Sequence, residues 1–150
     1  TFSPDDYTTR AAVMTMLYRM NGSPESGAAD IFSDVPFGEW YTNAVIWGAN
    51  AGIVSGNGDG TFAPDKAVTR EELVKMIVGY AEYEGEALSE RDITGFADTS
   101  AVSDWAVPFM QKAYGSGIIS GYPEDNTIRP QGTATRAELA QIIYNSQQVN

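Results

Sequence analysis

The sequence lacks two residue types on which much of protein chemistry depends. It has no cysteine, which excludes disulfides, thiolate zinc sites and cysteine nucleophiles. It has no histidine, which removes the commonest catalytic base and metal ligand and every Ser-His-Asp arrangement. Basic residues are scarce: 9 Lys and Arg stand against 20 Asp and Glu, a formal net charge of −11. Such a chain repels phosphates, so neither nucleic acid nor an anionic membrane surface is an expected partner. No apolar run approaches the ~20 residues of a membrane span, so no membrane insertion is expected. The opening Thr1-Phe2-Ser3-Pro4 has neither an initiator Met nor a signal peptide and reads as a piece of a longer chain.

What is present is 150 residues, 43% hydrophobic and 11% aromatic, enough to build a core. The informative feature is internal repetition. Residues 32–83 align with 96–148. Phe32-Ser33-Asp34 matches Phe96-Ala97-Asp98, and Trp40 matches Trp105. Gly52-Ile53-Val54-Ser55-Gly56 matches Gly117-Ile118-Ile119-Ser120-Gly121, Pro64 matches Pro130, and Thr69-Arg70-Glu71-Glu72 matches Thr135-Arg136-Ala137-Glu138. The chain begins inside a further copy, with Phe2-Ser3-Pro4 against Phe62-Ala63-Pro64 and Thr9-Arg10-Ala11-Ala12 against the other Thr-Arg blocks.

Each full unit reads as helix, glycine-rich loop, helix, so the fold class is mainly α. Trp40, Ala44, Trp47 and Ala51 share one helical face, as do Trp105, Phe109 and Ala113. Phe32, Phe96 and the tryptophans are expected in the core. Pro108 falls in a first helical turn, and Gly52 and Gly117 stand as stops. The second helix carries Leu73, Met76, Ile77 and Tyr80 on one face. Val13, Met16, Leu17, Met20 and Leu139, Ile142, Ile143 repeat the pattern. Ile53-Val54 and Ile118-Ile119 are expected to pair as short strands. The units are residues 1–22 (a second half only), 31–84 and 95–148, packed as one module because a single hairpin buries too little alone.

Thr69 with Glu72, and Thr135 with Glu138, have the spacing of capping boxes. The arginine in these blocks is not explained by capping. Arg10, Arg70 and Arg136 each occupy the first helical position, facing the positive end of the dipole at a cost of about 0.3–1 kcal/mol. Beside free helix-start amides, such a guanidinium suits a carboxylate or phosphate. The alternative is a neighbouring carboxylate, for instance in the acidic loop before it. Asp34 and Asp98 read as capping carboxylates rather than catalytic ones. The loop from Ser55 to Phe62 fails as a calcium site, because the bidentate glutamate position is Lys66. Its glycines serve either a tight turn at positive φ or a groove in which a sugar approaches backbone amides, with Tyr122 or a tryptophan over the ring. No acid pair is singled out for hydrolysis. No catalytic residue, metal or cofactor is assigned.

Together, Phe-x-Asp, Trp, Gly-Ile-[Ile/Val]-Ser-Gly, a Gly/Asp loop, Phe-x-Pro and Thr-Arg-x-Glu resemble the S-layer homology domain of bacterial surface proteins, over nearly the whole chain. The resemblance implies a three-lobed pseudo-trimer around a small helical bundle. It implies noncovalent anchoring to an anionic, often pyruvylated, secondary cell-wall polysaccharide, outside the cell, with no enzymatic activity. Residue by residue it implies ligand binding by Arg10, Arg70, Arg136, Ser55, Gly56, Ser120, Gly121 and Tyr122. Several positions depart from the pattern. The first copy lacks its leading helix and reads Thr-Arg-Ala-Ala, leaving five major helices where six are implied. The missing piece was cut away or is supplied by another protein chain. Asp98-Thr99-Ser100 replaces Asp-Val-Pro, and Ile128 replaces the loop phenylalanine. The rival reading is an assembly element of a surface-layer protein, pairing with another chain.

Overall fold

Threonine side chains start three of the helices. The Thr9 hydroxyl accepts the Ala12 amide and opens α1, Arg10–Met20. Thr69 and Thr135 form full capping boxes with Glu72 and Glu138, opening α3 (Arg70–Tyr83) and α5 (Arg136–Ser146). The leading helices of the two full units, α2 (Thr42–Asn50) and α4 (Val107–Gly115), lack a side-chain cap, and Pro108 sits in the first turn of α4. The computed structural model describes residues 6–27, 31–56 and 58–149. The Phe2-Ser3-Pro4 match and Asn57 lie outside them.

The stops follow one geometry. Gly52 and Gly117 adopt φ of +78° and +77°, conformations that a side chain disfavours. The following amides fold back, Ile53 to the Gly48 carbonyl and Ile118 to the Ala113 carbonyl, both at 2.8 Å. This turn drives Ile53 and Ile118 into the interior, where each is almost wholly buried. Each contributes about 1.5–3 kcal/mol. The expected strand pairing of Ile53-Val54 and Ile118-Ile119 does not occur. The chain there is the exit of a helix stop, and among the described residues only isolated bridges form.

The two aspartates of the Phe-x-Asp motifs act at long range instead of capping their own turns. Asp34 accepts the Phe62 and Ala63 amides at 2.8 and 2.7 Å. Asp98 accepts the Ile128 and Arg129 amides at 2.9 and 2.8 Å. Ala63 and Arg129 both have positive φ, 59° and 50°, so each carboxylate holds a strained residue in place.

The copies are joined by backbone. The Thr8 amide donates to Ala134, the Ala134 amide to Val68, and the Val68 amide to Thr8, at 2.9–3.2 Å, closing a ring of three. Bridges Tyr7–Thr135, Thr9–Ala67 and Thr69–Thr133 surround it. Helix α3 is central, with Leu73, Val74, Met76, Ile77, Val78 and Tyr80 buried, and it touches α1, α4 and α5. The leading helices pack on the preceding copy: α2 on α1 and α4 on α3. No helix covers α5 in the same way among the described residues.

Periodicity misplaced several side chains. Trp40 and Trp105 precede their α-helices and are exposed, while Trp47 is buried against Tyr18 and Tyr83. Met16 and Met20 of α1 are exposed, and in α5 only Leu139 is buried. Among the described residues no helix covers these faces.

Replacing Asp98 with alanine leaves two amides of a left-handed turn without a partner. The expected loss is roughly 2–4 kcal/mol. Urea denaturation checks this, with Asp104→Ala, at an exposed turn position, expected to change stability by less than ~0.5 kcal/mol.

Candidate functional site

The ring places the start of each second helix against the loop of the following copy. The helix-start amides are therefore not free, contrary to the expectation from sequence. The Arg10 and Ala11 amides donate to Lys66 and Pro64 carbonyls, and those of Arg70 and Glu71 to Gly132 and Pro130. The Arg136 amide donates to Asp6. Each arginine side chain then extends into a groove between copies, and the three grooves differ.

The first groove, of about 490 Å³, is lined by Arg10, Ser55, Gly56, Glu72, Lys75 and Trp105, among others. Arg10 is buried over the Phe62 ring, 4.7 Å from its centroid. Its Nε donates to the Phe62 carbonyl and its terminal nitrogen to Glu72, both at 2.8 Å. Gly56 is required here. It has φ +76°, and a Cβ would lie 2.5 Å from the Phe32 ring and 2.7 Å from the Thr61 carbonyl. The Lys75 ammonium donates to the Ser55 hydroxyl at 2.8 Å and lies 5.4 Å from the Trp105 ring centroid. Buried Glu71 holds the Trp105 turn by accepting the Ser103 amide at 3.0 Å and the Ser103 hydroxyl at 2.5 Å.

The second groove, of about 210 Å³, gathers Arg70, Ser120, Gly121, Tyr122, Glu138 and Gln141. Arg70 pairs with Glu138 through two nitrogens, at 2.9 and 2.8 Å. The Tyr122 hydroxyl accepts from Arg70 Nε at 2.6 Å and donates to Glu138. The third groove, of about 620 Å³, holds Arg136 with Trp40, Tyr144, Met16 and Leu139. Ala12 stands where the other copies have the glutamate. Among the described residues the exposed Arg136 side chain has no partner.

The structure thus distributes the sequence-derived residues: Arg10, Ser55 and Gly56 in one groove, Arg70, Ser120, Gly121 and Tyr122 in another, Arg136 alone in the third. It adds Lys75, Trp105 and Glu71, and gives Glu72 and Glu138 a second role beyond capping. The only signal for Lys75 was a lysine inside the apolar run of α3, aligned with Thr15 and Gln141 in the other copies.

Charge separates the grooves. Burial alone would raise the Glu72 carboxyl, but the Thr69 amide, Arg10 and Lys66 outweigh it and hold it below the ordinary glutamate range. Burial opposes the Tyr122 hydroxyl, the Thr135 amide and Arg70 at Glu138, with the same outcome. Burial, and next the Arg10 charge, pull the Lys75 ammonium down. Glu72 neutralises Arg10, so among the described residues Lys75 is the uncompensated cation inside the first groove. In the second groove Glu138 neutralises Arg70, and Gln141 replaces the lysine. The loop acids form turns: Asp59 accepts the Thr61 amide and hydroxyl, and Asp125 accepts the Thr127 hydroxyl.

The family model for the S-layer homology domain matches residues 31–74 and 95–140. Over 144 residues the chain is 35% identical to an amylopullulanase of Thermoanaerobacterium thermosulfurigenes. It is 36% identical over 147 residues to exoglucanase XynX of Acetivibrio thermocellus. Each alignment covers 95% of the chain but only 8% and 13% of those proteins, respectively. A cellulosome-anchoring protein of Acetivibrio thermocellus is 30% identical over 150 residues, covering 97% of the chain and 33% of that protein.

The interdomain pairs also predict an acid response. Because Glu72 and Glu138 titrate lower when folded, their stabilisation is complete above the unfolded value of ~4.3 and is lost as pH falls through the folded values. Thermal melts are expected to lose stability below about pH 4. A Glu72→Gln, Glu138→Gln variant is expected to melt lower at pH 7 and to show a shallower acid loss.

Proposed function

The chain belongs to the S-layer homology domain family, and from that premise we propose that it anchors a bacterial protein noncovalently to the cell wall. The ligand is an anionic, pyruvylated secondary cell-wall polysaccharide, bound outside the cell at its surface. The name of the cellulosome-anchoring relative supports the anchoring role. The activities named for the two longer relatives belong to those proteins, whose remaining length this chain does not span. The chain acts by binding, without a catalytic residue, metal or cofactor. Residues 1–22, 31–84 and 95–148 are its three units, and the backbone ring is read as the centre of a three-lobed arrangement.

One observation carries the reading: the first groove combines an uncompensated cation, glycine backbone and an exposed tryptophan. Lys75 exchanges the Ser55 hydroxyl for the ketal carboxylate, a charge-assisted contact in a partly dry site. The Arg10–Glu72 pair offers a donor and an acceptor to sugar hydroxyls. Gly56 lets the sugar approach the main chain, and Trp105 covers a ring face. The net charge of −11 repels an anion at long range, so attraction is confined to the groove within roughly a Debye length, ~8 Å at physiological salt.

A second reading is favoured by the third groove. There, among the described residues, α5 lacks a covering helix, Arg136 lacks a carboxylate, and Tyr7, Met16, Trp40 and Tyr144 are exposed together. Another protein chain packing against α5 would cover this face. A mass that rises with concentration in light scattering supports that reading, and a strict monomer at high concentration removes it.

Cosedimentation with purified sacculi tests the anchor. Native walls, walls stripped of secondary polymer and walls lacking the ketal acid are compared. Binding is expected to require polymer and acid. Lys75→Met is expected to weaken binding to acid-bearing walls roughly ten- to hundredfold, the weight of one charge-assisted hydrogen bond, and to abolish the preference for acid. Equal binding to stripped walls would sink the glycan reading.

A further inference from the structure

We infer that Tyr122 is a built-in occupant of the second groove, taking the place of a sugar hydroxyl on the Arg70–Glu138 pair, so that of the first two grooves one is open to glycan and the other is closed. This deepens the anchor reading and rests on it.

The Arg10–Glu72 and Arg70–Glu138 pairs occupy equivalent positions but differ in their third partner. In the first groove Glu72 accepts from Arg10, from the Thr69 amide and from Lys66 at 3.2 Å. Lys66 is exposed, with 52% of its side chain open to solvent, so a ligand hydroxyl displaces it at little cost. The position of Lys66 in the following copy is Gly132, and the contact is made by Tyr122 instead. The phenol accepts from Arg70 and donates to Glu138, the two bonds a sugar hydroxyl would make with the same pair. Glu138 is then saturated: it takes Arg70 twice, the Thr135 amide and hydroxyl, and the phenol.

Tyr122 is held too firmly to act as a lid. Its amide donates to the Thr127 carbonyl at 2.8 Å in an isolated bridge. The ring lies 3.8 Å from the Arg129 guanidinium and 5.3 Å from that of Arg70, measured to the centroid. Arg129 is itself fixed, its amide on Asp98 and its Nε on the Thr127 hydroxyl. The groove that remains is about 210 Å³ against about 490 Å³ for the first. The preceding copy has Asn57 at the position of Tyr122, a residue type without a hydroxyl.

Calorimetric titration with single-repeat oligosaccharides of acid-bearing secondary cell-wall polymer tests this. The native chain and Tyr122→Phe, which keeps the ring, are expected to bind one oligosaccharide. Tyr122→Ala is expected to bind two, the added site weaker and indifferent to removal of the acid, because Gln141 replaces Lys75 there. Tyr122→Asn, the residue type of the preceding copy, is the second opening variant should alanine unfold the loop. On a Lys75→Met background, opening Tyr122 is expected to restore binding. Two sites in the native chain, or one site in both folded opening variants, would overturn the inference and leave the anchor standing. Absence of binding by the native chain to oligosaccharide and sacculi alike would remove the anchor reading itself.

Discussion

The ring of amide–carbonyl bonds through Thr8, Val68 and Ala134 is the constraint from which the other features follow. It brings the chain just before each second helix to one place, although these segments are far apart in sequence. Once there, the first amides of α1, α3 and α5 find carbonyls of a neighbouring copy. Buried backbone donors must be paired, and pairing them across copies makes the helix starts structural instead of ligand-binding. The arginine that follows each cap is then turned toward the next copy, where the grooves form.

Three arginines in the same motif therefore meet three environments. Arg10 and Arg70 are buried or half-buried and paired with the glutamate of the following cap, so each glutamate serves both its helix and the junction between copies. A glutamate already committed to a capping box is fixed in orientation, and it makes a better partner for a buried guanidinium than a mobile acid would. Arg136 meets Ala12 and is left exposed. Pairing removes the net charge of the first two sites, which is why the groove chemistry depends on neighbours at a later helical turn: Lys75 in one, Gln141 in the other.

Much of the fold was legible in the sequence. Thr69-x-x-Glu72 forms its capping box, Gly52 and Gly117 stop their helices, and Pro108 sits in a first turn. The periodic face of α3 is the core. The errors share a cause. Trp40 and Trp105 fit a helical face by spacing, but the chain enters α2 and α4 only after them, through turns held by Thr42 and Glu71. Met16 and Met20 repeat the pattern of α3 but stand exposed along open grooves. Of the site, the arginines and glycine loops were visible because they recur. Lys75, Tyr122's contact with Glu138 and the Glu71 brace were not, because each occurs in one copy only.

Local sequence sets where α1, α3 and α5 begin, where α2 and α4 stop and which residues recur, because caps, stops and helical faces depend on neighbours within about four positions. Tertiary structure alone decided which groove holds a spare positive charge and which is filled. The partners concerned, Arg10 with Glu72 and Arg70 with Glu138, are separated by 62 and 68 residues, and only closure of the ring brings them together.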